Sequence, residues 1–164
     1  MLKKLCNDYA LRGYTFEFIS KILLRRKEKN NFIFQTNQFD SIKEILTKYR
    51  LQSNSPVISK QIDFLKEEGL KCDIIAFYCE ERTIKEIVLF EVKTKYHSVQ
   101  RDYYEMCISN HQFMKKSKQA GIQTKIISIV LFENWKFSFN IYPYETSPIK
   151  TYSNYKINKK SYKQ

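Results

Sequence analysis

Glycine and proline are scarce in this chain, three of each in 164 residues, a composition that excludes a linker-rich or low-complexity protein. No apolar run approaches the length a bilayer demands, so no membrane partner is expected. Histidine is rarer still, and the four cysteines, Cys6, Cys72, Cys79 and Cys107, form no CxxC pair and have no histidine at zinc-finger spacing. They read as buried, reduced thiols that behave as small apolar residues. Acidic residues are outnumbered, 17 against 29 Lys and Arg, for a formal charge of +12. That imbalance favours polyanionic partners, nucleic acid first, because each cation that meets a phosphate releases condensed counterions. It is equally compatible with a lysine-rich solvated surface. Met1-Leu2-Lys3-Lys4-Leu5-Cys6 has no apolar core behind its charges and does not read as a secretion signal, so a cytoplasmic protein is expected.

What is present suits one folded domain, with 43% hydrophobic residues to build its core. From Tyr9 to Arg26, Leu11, Tyr14, Phe18, Ile19, Ile22 and Leu23 recur at helical spacing and predict an amphipathic helix. Asn31 to Gln35 reads as a short strand. Ile42, Ile45, Leu46 and Tyr49 predict a helix from Asp40, as its cap, to Leu51. Ser55-Pro56 opens another helix that runs to Gly69. A hairpin follows, Cys72 to Cys79 and Glu86 to Thr94, then a helix from Arg101 to Ala120 and two strands, Thr124 to Phe132 and Phe137 to Tyr144. The expected fold is α/β in the α+β sense, a central mixed sheet flanked by helices, with a helical insertion over about 40–69. That domain spans 1–145. The remainder, 146–164, carries lysines interleaved with tyrosines and too few aliphatics to fold alone, and reads as a flexible tail suited to contacting phosphates and bases.

The chemistry concentrates in the hairpin. Phe90-Glu91-Val92-Lys93-Thr94 ends the apolar run Ile87-Val88-Leu89-Phe90, and strand alternation turns Glu91 and Lys93 to one face. Asp73 opens the preceding apolar run, Ile74 to Tyr78, so antiparallel pairing delivers it to the same end of the sheet as Glu91. Paired carboxylates are hard oxygen ligands for Mg²⁺, and an adjacent ammonium can orient water or stabilise developing charge. Glu-x-Lys by itself is a common surface ion pair. The apolar strand leading in, Asp73, and Glu17 on the upstream helix give it the context of a metal site.

At these residues the chain resembles the PD-(D/E)XK nuclease superfamily, and within it the archaeal-type Holliday junction resolvases. Phe90-Glu91-Val92-Lys93-Thr94 matches the second half of the motif, and Asp73 in Cys72-Asp73-Ile74-Ile75-Ala76-Phe77 the first, with Cys72 in place of the motif's proline. Arg12-Gly13-Tyr14-Thr15-Phe16-Glu17 resembles the resolvase segment in which a helix after a glycine brings a further acid. The helical material between Glu17 and Asp73 is longer than in the resolvases. The resemblance implies a restriction-endonuclease-like core in which Asp73, Glu91 and the Val92 backbone carbonyl hold Mg²⁺, with Mn²⁺ as a substitute. Glu17 then binds a metal or its water, and Lys93 serves the nucleophilic water. It further implies a DNA endonuclease of recombination or repair, acting on branched DNA as a homodimer that presents one site to each strand.

Lys95, Tyr96, His97 and Arg101 follow the motif strand, where cations and hydroxyls position a phosphate backbone. On the crossover helix, Ser109, Gln112 and Lys116 share a face and His111 adjoins them, with Gln112 favoured to face the site. Trp135 reads as a core or turn plug. The motif handles a phosphodiester and reads no bases, so duplex DNA and RNA stay open as substrates, and a non-catalytic basic nucleic-acid-binding module stays open beside them.

Overall fold

The computed structural model describes residues 9–27, 31–96, 103–132 and 136–152. Helix α1 (Tyr9–Lys27) leads into β1 (Asn31–Gln35), followed by α2 (Ile42–Tyr49) and α3 (Pro56–Glu68). The hairpin β2 (Ile74–Glu80) and β3 (Thr83–Tyr96) comes next, then β4 (Tyr104–Cys107), α4 (Ile108–Gln119), β5 (Gln123–Leu131), β6 (Phe137–Pro143) and β7 (Ile149–Tyr152). The fold is thus α+β, with the helical insertion where the sequence places it.

Five strands form one mixed sheet in the order β1-β2-β3-β5-β6, and β4 and β7 pair separately as a parallel ribbon. β1, β2 and β3 make an antiparallel meander, whereas β5 runs parallel to β3 and so needs the crossover through α4. The central strands are apolar on both sides because each face is covered. One face carries Phe34, Ile75, Phe77, Leu89 and Ile126 against Ile45, Ile62 and Leu65 of α2 and α3 and Phe113 and Met114 of α4. The other carries Ile33, Ile74, Val88, Phe90 and Ile127 against Phe16 and Leu24 of α1. The insertion therefore caps the sheet.

Local signals explain the boundaries. Ser41, and not the expected Asp40, caps α2, its hydroxyl accepting from Glu44 N at 3.3 Å while Glu44 Oε2 accepts from Asp40 N at 3.0 Å. Pro56 occupies the first turn of α3, as its fixed φ favours. Gly121 adopts φ 80° where the chain leaves α4, and Ile122 N closes that end on Ser117 O at 2.9 Å. Among the described residues no helix is long and apolar enough to cross a membrane.

Further expectations are corrected. The exposed stripe of α1 is Tyr14, Phe18 and Ile22, while Phe16, Ser20 and Leu24 face the sheet. Polar side chains decide that rotation: Glu17, Lys21 and Arg25, one turn apart each, bond Asn37, Gln38 and the Ile33 carbonyl at the end and flank of β1. The helix expected from Arg101 begins only at Ile108, because Tyr104–Cys107 is strand. Its partner is β7, inside the segment read as an unstructured tail, so a long-range pairing orders four residues that local composition leaves unordered. The hairpin also extends to a two-residue turn at Glu81-Arg82, with Glu81 at φ 55° and Ile84 buried. Trp135 and Cys6 lie outside the described residues, and Cys72, Cys79 and Cys107 are free thiols.

Phe77 is fully buried between strand and helices. Phe77→Ala is expected to cost about 3–5 kcal/mol of stability, read as a lower urea midpoint with an unchanged denaturant slope. A loss below about 1 kcal/mol would mean that this core collapses around the cavity.

Candidate functional site

The site is built where β2 and β3 part. Asp73 precedes β2 and is held from two sides: its N–H donates to Phe90 O at 3.1 Å, and its carbonyl accepts from Thr36 N at 3.0 Å. The Thr36 hydroxyl donates to the neighbouring Cys72 carbonyl. With the backbone fixed, the Asp73 carboxylate reaches across to the next strand, where Oδ2 accepts from Val92 N at 2.6 Å. Glu91 is the adjacent residue on β3, on the same face as Leu89 and the α4 helix, and is 2% exposed. Its Oε1 accepts from Lys93 Nζ at 2.8 Å and from Asn110 Nδ2 at 3.5 Å. Its Oε2 is buried with no hydrogen-bond partner.

That orphan oxygen matters chemically. A buried carboxylate oxygen without a donor loses its hydration for nothing in return unless a cation or proton occupies it. Among the described residues, Glu91 is the one charged residue whose side chain has an unsatisfied buried atom. The electrostatics tell the same story. The Asp73 carboxyl is pushed well above the ordinary carboxylate range, by desolvation first and then by the Glu91 charge, against the Val92 N–H and Lys93 that lower it. Glu17 is raised too, by desolvation and by Glu91, with Gln35, Lys93 and Asn37 opposing. Burial pulls the Lys93 ammonium down, but Glu91 by charge and hydrogen bond, with Asp73 and Tyr152, outweighs it and the net direction is up. Lys93 is consequently a cation at neutral pH, which favours charge stabilisation over proton abstraction.

The structure brings together Asp73, Glu91, Val92 and Lys93 as the sequence placed them. Glu17 comes to the flank: it faces β1, bonds Asn37 Nδ2 at 3.1 Å, and reaches the other acids through its field alone. Among the described residues no three His, Cys, Asp or Glu side chains are gathered closely enough to hold a metal ion. Asp73 and Glu91 are the two acids drawn together at the parting of β2 and β3, with Glu17 beside them. Asp73 and Glu91 still fit a Mg²⁺, which needs only one or two carboxylates and keeps much of its water, and the spare Glu91 oxygen is the donor that fit requires.

Asn110 is the residue that sequence reasoning missed. Gln112 is exposed, and Lys116 is bonded to Glu68 Oε1 at 2.6 Å, where it ties α4 to α3 away from the site. Phe113, Met114 and Ser117 are the buried side of α4, and Asn110 lies one turn before the first two of them. The core stripe thus carried the signal, since Asn110 shares the face of Phe113, Met114 and Ser117 at helical spacing. His111 Nδ1 bonds the Tyr144 hydroxyl, and Ser109 Oγ lies 3.0 Å from Cys107 Sγ. Lys95 sits 5.4 Å from the centre of the Tyr104 ring. His97, Arg101 and the side chain of Tyr96 lie outside the described residues.

The raised Asp73 pKa fixes a sign. The folded state takes up this proton more readily than the unfolded one, so the group stabilises as pH falls through its folded pKa toward 3.8 and destabilises at neutral pH. Asp73→Asn keeps an acceptor for Val92 N–H and removes the charge. It is expected to raise Tm at neutral pH, by about 2–4 °C for each kcal/mol regained, and to flatten the acid side of the stability profile in scanning calorimetry. An unchanged or lower neutral Tm contradicts this electrostatic picture. Comparison with protein-family models, curated proteins and solved structures returns no match.

Proposed function

We propose that this protein is a divalent-metal-dependent nuclease with a restriction-endonuclease-like core, hydrolysing DNA phosphodiester bonds. The observation that carries the reading is that Asp73, just before β2, bonds Val92 N beside Glu91 on β3, while Lys93 bonds one Glu91 oxygen and the other has no donor among the described residues. The topology supports it. A helix, a hairpin with Asp73 just before its first strand and Glu91 on its second, a crossover helix and a further strand occur in the order that the superfamily resemblance implies.

Asp73 and Glu91 would hold Mg²⁺ or Mn²⁺, with the Val92 carbonyl as the third candidate ligand and Glu17 acting from the flank. When bound, the cation supplies Lewis acidity for the phosphate and lowers the pKa of water. The chain's own residues do the rest. Lys93 holds positive charge beside the scissile phosphate, where it can steady the attacking water or the charge that grows on phosphate oxygens. Asn110 adds a long contact, 3.5 Å, to the same Glu91 oxygen. The +12 charge supplies the long-range attraction for DNA. Branched DNA and a two-fold dimer remain part of the proposal, since a junction has two strands to cut.

Glu91→Gln and Lys93→Ala are each expected to slow Mg²⁺-dependent DNA cleavage on the order of 10²–10³-fold, while salt-sensitive DNA binding measured without divalent cation persists. Wild-type cleavage rates in both variants would falsify the proposal.

A further inference from the structure

The β4–β7 ribbon stands outside the main sheet and has two unlike faces. Met106 is buried, and Tyr104 and Ile149 pack on the larger core. Strand alternation turns Lys150 and Tyr152 to the other side, opposite Glu105 and Cys107 in register. Tyr152 is 46% exposed. Lys150 Nζ lies 3.9 Å from the centroid of the Tyr103 ring, so an ammonium group and an aromatic face meet beside the exposed Tyr152, while Lys95 Nζ lies 5.4 Å from the ring of the core-facing Tyr104. Glu105 brings one negative charge to the face, and its register partner Lys150 offsets it.

This edge runs into the acidic site. Tyr152 pairs with Cys107, the residue that caps α4, and Asn110 one turn further on bonds Glu91. A continuous duplex offers phosphates to lysines but keeps its bases stacked on one another. An unpaired nucleotide alone can place a base on an exposed ring while its phosphates meet the adjacent ammonium groups.

We propose that the β4–β7 ribbon is a single-strand platform, on which Tyr152 stacks an unpaired base and Lys150 meets the flanking phosphate. Its consequence for catalysis, a preference for cleaving flaps and splayed junctions over continuous duplex, rests on the nuclease reading; the binding surface itself does not. The test uses the full chain without divalent cation and an oligothymidylate carrying one 2-aminopurine. Wild type and Tyr152→Phe are expected to change the 2-aminopurine fluorescence on binding. Tyr152→Ala is expected to abolish that change and weaken single-strand binding by about ten-fold, with affinity for a matched duplex unaltered. Equal single-strand affinity in wild type and Tyr152→Ala, or an equal loss on duplex, overturns the platform. A wild type that stacks the base in this way but cleaves nothing with Mg²⁺ supports the platform and removes the nuclease reading.

Discussion

A carboxylate almost sealed from water, with a donor for one oxygen and none for the other, is the constraint around which the site is organised. Glu91 is 2% exposed, and Lys93 and Asn110 serve the same oxygen. Removing one member of a buried ion pair typically costs about 3–5 kcal/mol, so neither Glu91 nor Lys93 is a neutral ornament of the strand. The second acid adds to the tension. Asp73 sits beside Glu91 with its charge disfavoured by burial and by its neighbour, and two carboxylates arranged this way gain from any cation that comes between them.

The fold holds this arrangement with rigid parts. β2 and β3 are buried on both faces, so the strands cannot slide without moving a packed core to the wrong side. Thr36 at the end of β1 fixes the backbone of Cys72 and Asp73 from one side and β3 fixes it from the other. The parallel pairing of β3 with β5 obliges the chain to cross over through α4, and that crossover brings Asn110 to Glu91. The insertion of α2 and α3 thickens one core layer and stays remote from the chemistry.

Sequence patterning exposed the acids because two independent rules met on them: apolar runs marked β2 and β3, and alternation put Glu91 and Lys93 on one face. It failed where long-range partners decide. Tyr104–Cys107 became strand because Ile149–Tyr152 lies beside it, and neither segment announces the other. The rotation of α1 was hidden by its composition, since Tyr14, Phe18 and Ile22 look like a core stripe while the bonds from Glu17, Lys21 and Arg25 to the β1 region select another face. Asn110 was missed because the polar face of Ser109, Gln112 and Lys116 drew attention, whereas the face that meets the sheet is the one carrying Phe113 and Met114.

The most direct measurement is an anomalous difference map from crystals of the protein grown or soaked with Mn²⁺. The account places one peak between the Asp73 and Glu91 carboxylates, with the Glu91 oxygen that lacks a donor at roughly 2.0–2.3 Å, the range of hard-oxygen coordination. A map with no peak there at saturating Mn²⁺, or with the ion bound elsewhere and Glu91 still paired to Lys93 alone, would contradict it.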